Sequence, residues 1–153
     1  MMKTLRIERD DRGVALLALN RPEVHNAFDE TMIREIIEAF RDLGADNDVR
    51  VIIIAAEGKS FCAGADLNWM KRAAQYDEEK NREDGGELAL MLNAIYACPK
   101  PVIACVQGNA YGGGVGVMAS AISNAINMQA QAMASSVRTF TVSCPLDDLA
   151  SIQ

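Results

Sequence analysis

The sequence is short of the residues that most often carry chemistry. It has one histidine, His25, and four cysteines, Cys62, Cys98, Cys105 and Cys144, none of them in a CxxC pair. That supplies no zinc set, and in a reducing compartment such cysteines read as small buried hydrophobes. Basic charge is also in deficit: a net charge of −6 leaves no footprint for nucleic acid. No apolar run reaches the roughly 18–20 residues of a membrane span. The start, Met1-Met2-Lys3-Thr4-Leu5-Arg6, leads straight into an alternating strand pattern with no signal-peptide core. Together these absences imply a cytoplasmic protein with no metal, no nucleic acid and no membrane among its partners. Two nucleotide-binding motifs fail as well. There is no GK[ST] element. Gly114-Val115-Gly116-Val117-Met118-Ala119, a loose GxGxxA, lies too far past its strand and lacks the acidic residue required downstream.

What is present suits one soluble globular domain. The chain has 153 residues, half of them hydrophobic and 24% charged. Residues 3–9 and 13–19 flank Asp10-Asp11-Arg12-Gly13, a hairpin signal. Pro22 stops the pairing. Asp29 is placed to cap a helix in which Met32, Ile33, Ile36, Ile37, Phe40 and Leu43 share one face, with Gly44 as its C-terminal stop. Arg50 to Ala56 reads as a buried strand. Residues 71–86 are polar and end near Gly85-Gly86; they read either as a mobile cover or as a solvated helix with a linker. Leu88, Leu90, Met91, Ile95 and Tyr96 give a helical pattern that Pro99 ends, and a strand over 102–106 follows.

The chemistry concentrates in two glycine-rich turns. The first, Ser60-Phe61-Cys62-Ala63-Gly64-Ala65-Asp66-Leu67, follows the strand Val51–Ala55. The second, Gly108-Asn109-Ala110-Tyr111-Gly112-Gly113-Gly114, follows Pro101–Val106. Each leads into a helix, so each offers free backbone N–H groups where a negative oxygen is welcome. Converging on one point, the turns would form an oxyanion hole. Cys62 lies in the first turn and His25 is the sole imidazole, so a Cys62–His25 pair for acyl transfer is a second candidate.

The wording of the two turns, with Asn20-Arg21-Pro22-Glu23-Val24-His25-Asn26-Ala27 ahead of them, resembles the enoyl-CoA hydratase/isomerase (crotonase) family over about residues 3–119. The resemblance implies the N-terminal part of a crotonase-like α/β spiral of ββα units. It implies a protein that hydrates an enoyl-CoA thioester through a stabilised enolate. Ala65 and Gly113 would supply the two N–H donors. The backbone of Glu23, Val24 and His25 would lie along CoA, and the Ala63 carbonyl would meet the adenine. Gly64, Asp66 and Leu67 would line the same substrate site, with Asp66 also accepting N–H bonds at a helix start. No separate cofactor is implied, since CoA arrives with the substrate; family members form trimers or hexamers, and the homo-oligomer this suggests is set against the absence here of the C-terminal elements that build the trimer. Asn68-Trp69-Met70 is similar to members acting on branched or methylglutaconyl-type acyl groups, although Trp69 and Met70 also suit a core.

Some of the family pattern is missing. Gly116 stands where many hydratases carry a glutamate, and no glutamate follows Glu87. From Ser120 onward the only charged residues are Arg138, Asp147 and Asp148. The expectation is therefore an incomplete core over 1–119 and an atypical tail over 120–153. Ala121-Ile122-Ser123 can be encoded so that reading one base earlier gives Cys-Asp-Ile, a hint of a frameshift. The alternative function is a truncated, catalytically impaired chain that binds acyl-CoA or only associates with other chains.

Overall fold

The computed structural model describes residues 2–134; the expectations for the end of the tail, Cys144 included, lie outside the described residues. Strands β1 (Leu5–Arg9) and β2 (Val14–Leu19) form an antiparallel hairpin, with Leu5 opposite Leu19 and Arg9 opposite Ala15. Its turn is held by Asp10, whose carboxylate accepts the N–H groups of Arg12 at 3.0 Å and Val14 at 2.8 Å. Helix α1 (Glu30–Ala45) then crosses to β3 (Val51–Ala56), which pairs parallel with β2. A short strand β4 (Ser60–Cys62), α2 (Leu67–Ala73) and α3 (Glu78–Tyr96) lead to β5 (Val102–Ala104), parallel to β3. The main sheet thus has the order β1-β2-β3-β5. Strand β6 (Asn109–Ala110) pairs parallel with β4 in a separate two-stranded sheet, and α4 (Gly113–Ala134) follows.

The hydrophobic pattern dictates this arrangement. Asp29 caps α1 by accepting the Met32 N–H at 2.8 Å, and Met32, Ile33, Ile36, Phe40 and Leu43 are buried on one face. Each such side chain contributes about 1.5–3 kcal/mol, and together they seat α1 in a core shared with Leu17, Leu19, Ile52, Ile54, Phe61 and Met91. Helix α3 packs against α1 and α4, and α4 packs against β5.

Gly44 does not stop α1. The helix runs through it to Ala45, and the backbone N–H of Asp46 closes the end on the Asp42 carbonyl. Glycine is needed there for another reason: a Cβ would stand 3.1 Å from Pro99 Cδ and 3.6 Å from Cys98 Sγ. The residue reads as a cap in sequence and serves as a close-approach point in the fold.

Most of segment 71–86 is exposed helix: the end of α2, a bend, and the first turns of α3. It is pinned by Trp69 Nε1, which donates to Asp84 at 3.1 Å, and by Arg72, which meets both Glu30 oxygens at 2.8 Å. Gly85 and Gly86 lie inside α3 with nothing within 4 Å of a Cβ built on either. Exchanging each for alanine is expected to stabilise the protein by about 0.5–1 kcal/mol, since alanine loses less backbone freedom in a helix. A rise in the urea midpoint checks this; an unchanged or lower midpoint in both single variants overturns it.

The boundary expected after Ala119 falls inside α4. Beyond it, Ala121 is buried and Asn124 is 1% exposed. Asn124 accepts the Val102 N–H at 2.9 Å and donates to the carbonyls of Tyr96 at 3.1 Å and Cys98 at 2.9 Å. One amide therefore ties α4 to the end of α3 and the start of β5. Among the described residues no helix is long and apolar enough to cross a membrane.

Candidate functional site

The two turns meet. Tyr111 N–H donates to the Cys62 carbonyl at 2.9 Å, and the β4–β6 ladder sets Cys62 opposite Ala110. Close approach explains Gly114, where a Cβ would stand 2.7 Å from Cys62 Cβ; at Gly112 the backbone itself, at φ +50, favours glycine. A Cβ on Gly113 would not enter the space between the turns; it would strike the Phe28 ring at 2.9 and 3.0 Å.

The first turn also lies parallel to residues 25–28. Ala63 N–H donates to the His25 carbonyl at 2.9 Å, Phe28 N–H to the Gly64 carbonyl at 2.7 Å, and Asp66 N–H to the Phe28 carbonyl at 2.8 Å. In an uninterrupted strand, Ala63 and Ala65 would present their N–H groups to the same side. Gly64, at φ +90, breaks that alternation. The bonds bracketing Ala65 come from its neighbours, so its own N–H faces away from residue 28. Among the described residues it has no acceptor, and neither has the N–H of Gly113 at the start of α4. Those are the two groups singled out in sequence. Gly64 and Asp66 are buried, Ala63 and Ala65 are exposed, and Leu67 is 73% exposed. Glu23 and Val24 lie in a short 3-10 turn, Pro22–Val24, that His25 closes at φ 53.

The sequence model of the enoyl-CoA hydratase/isomerase family matches residues 9–139. The chain belongs to this family. It is 36% identical over 104 residues to a protein of Thermus thermophilus named a putative enoyl-CoA hydratase, covering 68% of this chain and 41% of that one. It is 36% identical over 124 residues to the human mitochondrial Delta(3,5)-Delta(2,4)-dienoyl-CoA isomerase, covering 74% of this chain and 37% of that one. The solved structure of an enoyl-CoA hydratase from Shewanella pealeana superposes with a TM-score of 0.76 at 39% identity, covering 78% of this chain and 44% of that chain. A putative enoyl-CoA hydratase/isomerase (crotonase) from Legionella pneumophila gives 0.75 at 43% identity, covering 78% and 46%. The fold is therefore the α/β fold of the crotonases, and the chain spans less than half the length of these relatives.

The family signature around Asn26 proves to be a bracket. Asn26 is fully buried at φ 54; its Oδ1 accepts the Arg21 N–H at 2.8 Å, and its Nδ2 donates to the carbonyls of Glu57 at 2.8 Å and Ser60 at 2.9 Å. It joins the loop before α1 to both ends of the β3–β4 connection. Sequence reasoning treated this stretch as a CoA-contacting backbone and missed Arg21, Asn26 and Phe28 as its supports. The available signal was the pair Asp29 and Asp66, two helix-capping carboxylates that one nearby arginine could share.

Cys62 is not paired with His25. Its thiol is fully buried and receives the Gly64 N–H at 3.3 Å, whereas His25 Nδ1 stands 3.3 Å from Ser60 Oγ. Burial pushes the thiol pKa up, and the N–H groups of Gly64 and Gly114 offset this only in part. A nucleophilic cysteine needs the opposite environment, so the acyl-transfer candidate falls and Cys62 is packing. Among the described residues no cluster of His, Cys, Asp and Glu is arranged to hold a metal.

Asp66 starts α2: its Oδ1 accepts the N–H groups of Asn68 at 2.8 Å and Trp69 at 3.2 Å. Burial works to raise its pKa, but those N–H groups and the Arg21 guanidinium outweigh it and hold the carboxyl below the usual range. The stability this contributes is fully present above the unfolded value of about 3.9 and is lost as pH falls through the lower folded value. Asp66→Asn is expected to flatten the acid limb of the stability profile below about pH 4. Identical limbs in the two proteins would refute this.

Proposed function

We propose that this chain binds an acyl-CoA thioester and polarises its carbonyl between the N–H groups of Ala65 and Gly113. The observation that carries the reading is that neither group has an acceptor among the described residues, while both sit on turns held together by the Tyr111–Cys62 bond. Carbonyl polarisation is the step that hydration, double-bond isomerisation and hydrolysis of CoA thioesters share, and relatives named for all three chemistries match this chain. As negative charge develops on the thioester oxygen, two preorganised donors stabilise it more than water does. The N-terminus of α4 adds a favourable dipole. Glu23, Val24 and His25 would run along CoA, the Ala63 carbonyl would meet the adenine, and the exposed apolar side chains of Leu67 and Tyr111 flank the turns. CoA is the only carrier the reaction requires. Asn68-Trp69-Met70 favours a branched or glutaconyl-type acyl group. A homo-oligomer and a hydratase-type lyase activity belong to this reading.

A second reading, binding without turnover, is favoured by the carboxylates. Asp66 is occupied by α2 and Arg21. At Gly116, a Cβ would meet two Leu92 methyl carbons at 3.1 Å, so a side chain there would have to displace Leu92. Calorimetric titration with crotonyl-CoA, followed by the loss of enoyl absorbance with time, separates the two. Binding tighter than that of free CoA supports the polarising site; turnover then decides for the enzyme and its absence for the binder. Equal affinity for crotonyl-CoA and CoA overturns the proposal.

A further inference from the structure

We propose that Arg21 is a positioning residue that aims the Ala65 N–H by tying together the starts of α1 and α2. The geometry is unusually economical. The side chain is largely buried, at 16% exposure. Its Nη1 donates to the Ala27 carbonyl at 2.6 Å and lies 3.0 Å from Asp29 Oδ2. Its Nη2 lies 3.0 Å from Asp66 Oδ2. Both aspartates divide their oxygens in the same way. Oδ1 of Asp29 caps α1 and Oδ1 of Asp66 caps α2, while both Oδ2 atoms turn to the one guanidinium.

The two capped segments are the ones that pair through the Phe28–Ala65 bridge. Asp66 directly follows Ala65, so the ion pair fixes the plane of the chain immediately beyond the proposed donor. Gly64 sets the direction of the Ala65 N–H from one side, and Arg21 holds it from the other. The planar fork of arginine reaches two carboxylates and a carbonyl at once; the ammonium of lysine is a point charge and cannot reproduce that geometry. Without the cation, two carboxylates with 19% and 8% side-chain exposure would face each other unneutralised.

This inference rests on Ala65 and Gly113 being the carbonyl donors, so its test reads the carbonyl itself. The full chain is titrated with crotonyl-CoA carrying an isotope-labelled thioester carbonyl, and the bound carbonyl stretch is measured by difference infrared spectroscopy. The native protein is expected to lower the frequency relative to free ligand, because hydrogen bonding weakens the C=O bond. Arg21→Ala is expected to lose most of that displacement, and Arg21→Lys to recover part of it. Asp66→Asn, which keeps an oxygen to cap α2 but loses the ion pair, is expected to resemble Arg21→Lys. If the native protein shows no displacement, the donor reading fails and this inference falls with it. If the native protein shows it and folded Arg21→Lys and Asp66→Asn keep all of it, the donor reading stands and the role of Arg21 is overturned. Should Arg21→Ala not fold, the Arg21→Lys and Asp66→Asn spectra decide the matter.

Discussion

Gly108→Ala is expected to lower the urea midpoint of the protein sharply. A Cβ at this position would stand 2.1 Å from the Lys59 carbonyl oxygen, 3.1 Å from its carbon and 3.3 Å from Ser60 Cα. All three atoms are backbone, so no side chain can rotate away. Relief requires separating β4 from β6, whose ladder pairs Ser60 with Asn109 immediately beside the collision. Overpacking against adjustable neighbours costs about 1–3 kcal/mol. With backbone on both sides, the loss is expected at or beyond the top of that range, a large part of the roughly 5–15 kcal/mol that holds a domain folded. Urea unfolding followed by circular dichroism checks this. A midpoint equal to that of the native chain would show that the two strands are not held as closely as described.

The second large effect is expected at Gly64, and it is functional before it is structural. At φ +90 an alanine pays about 1–2 kcal/mol in backbone strain, and its Cβ would stand 3.4 Å from the Tyr111 carbonyl oxygen. The cheapest relief is to return residue 64 to extended geometry. That restores the regular alternation of the strand and turns the Ala65 N–H back toward residue 28. Gly64→Ala is therefore expected to stay folded yet to bind crotonyl-CoA about tenfold more weakly, the equivalent of one lost hydrogen bond of about 1.4 kcal/mol, with free CoA affected far less. A folded variant with native crotonyl-CoA affinity would refute the role given to this glycine.

Much of the fold was legible because local chemistry and tertiary structure agree. The β1–β2 hairpin, the Asp29 and Asp66 caps, the buried face of α1 and strand β3 all follow from periodicity and capping residues that act over a few positions. The failures share one cause. Gly44 is small because Pro99, far along the chain, presses on it; Leu90 has the spacing of a core residue but is 59% exposed. Contacts between distant segments leave no local trace. The candidate site shows the same division. The glycine turns announced themselves, while the clamp formed by Arg21, Asn26 and Asp66 joins two segments that only the folded chain brings together. Beyond Ala119, Asn124 shows that an uncharged stretch can still be anchored by one amide.

The pairing of residues 25–28 with 63–66, and of the first turn with the second, has a kinetic consequence. Helix α1 and its cap can form locally and early. The Phe28–Ala65 bridge and the Tyr111–Cys62 bond must wait for long loops to close, which is entropically slow. On the reading proposed here, competence for acyl-CoA is then the last property to emerge during refolding, after most helical signal has returned. A ligand that recognises only the fully closed chain also draws the folding equilibrium toward it by mass action. The acyl-CoA pool of the cell would thus act on this protein twice, as what it binds and as what keeps it folded.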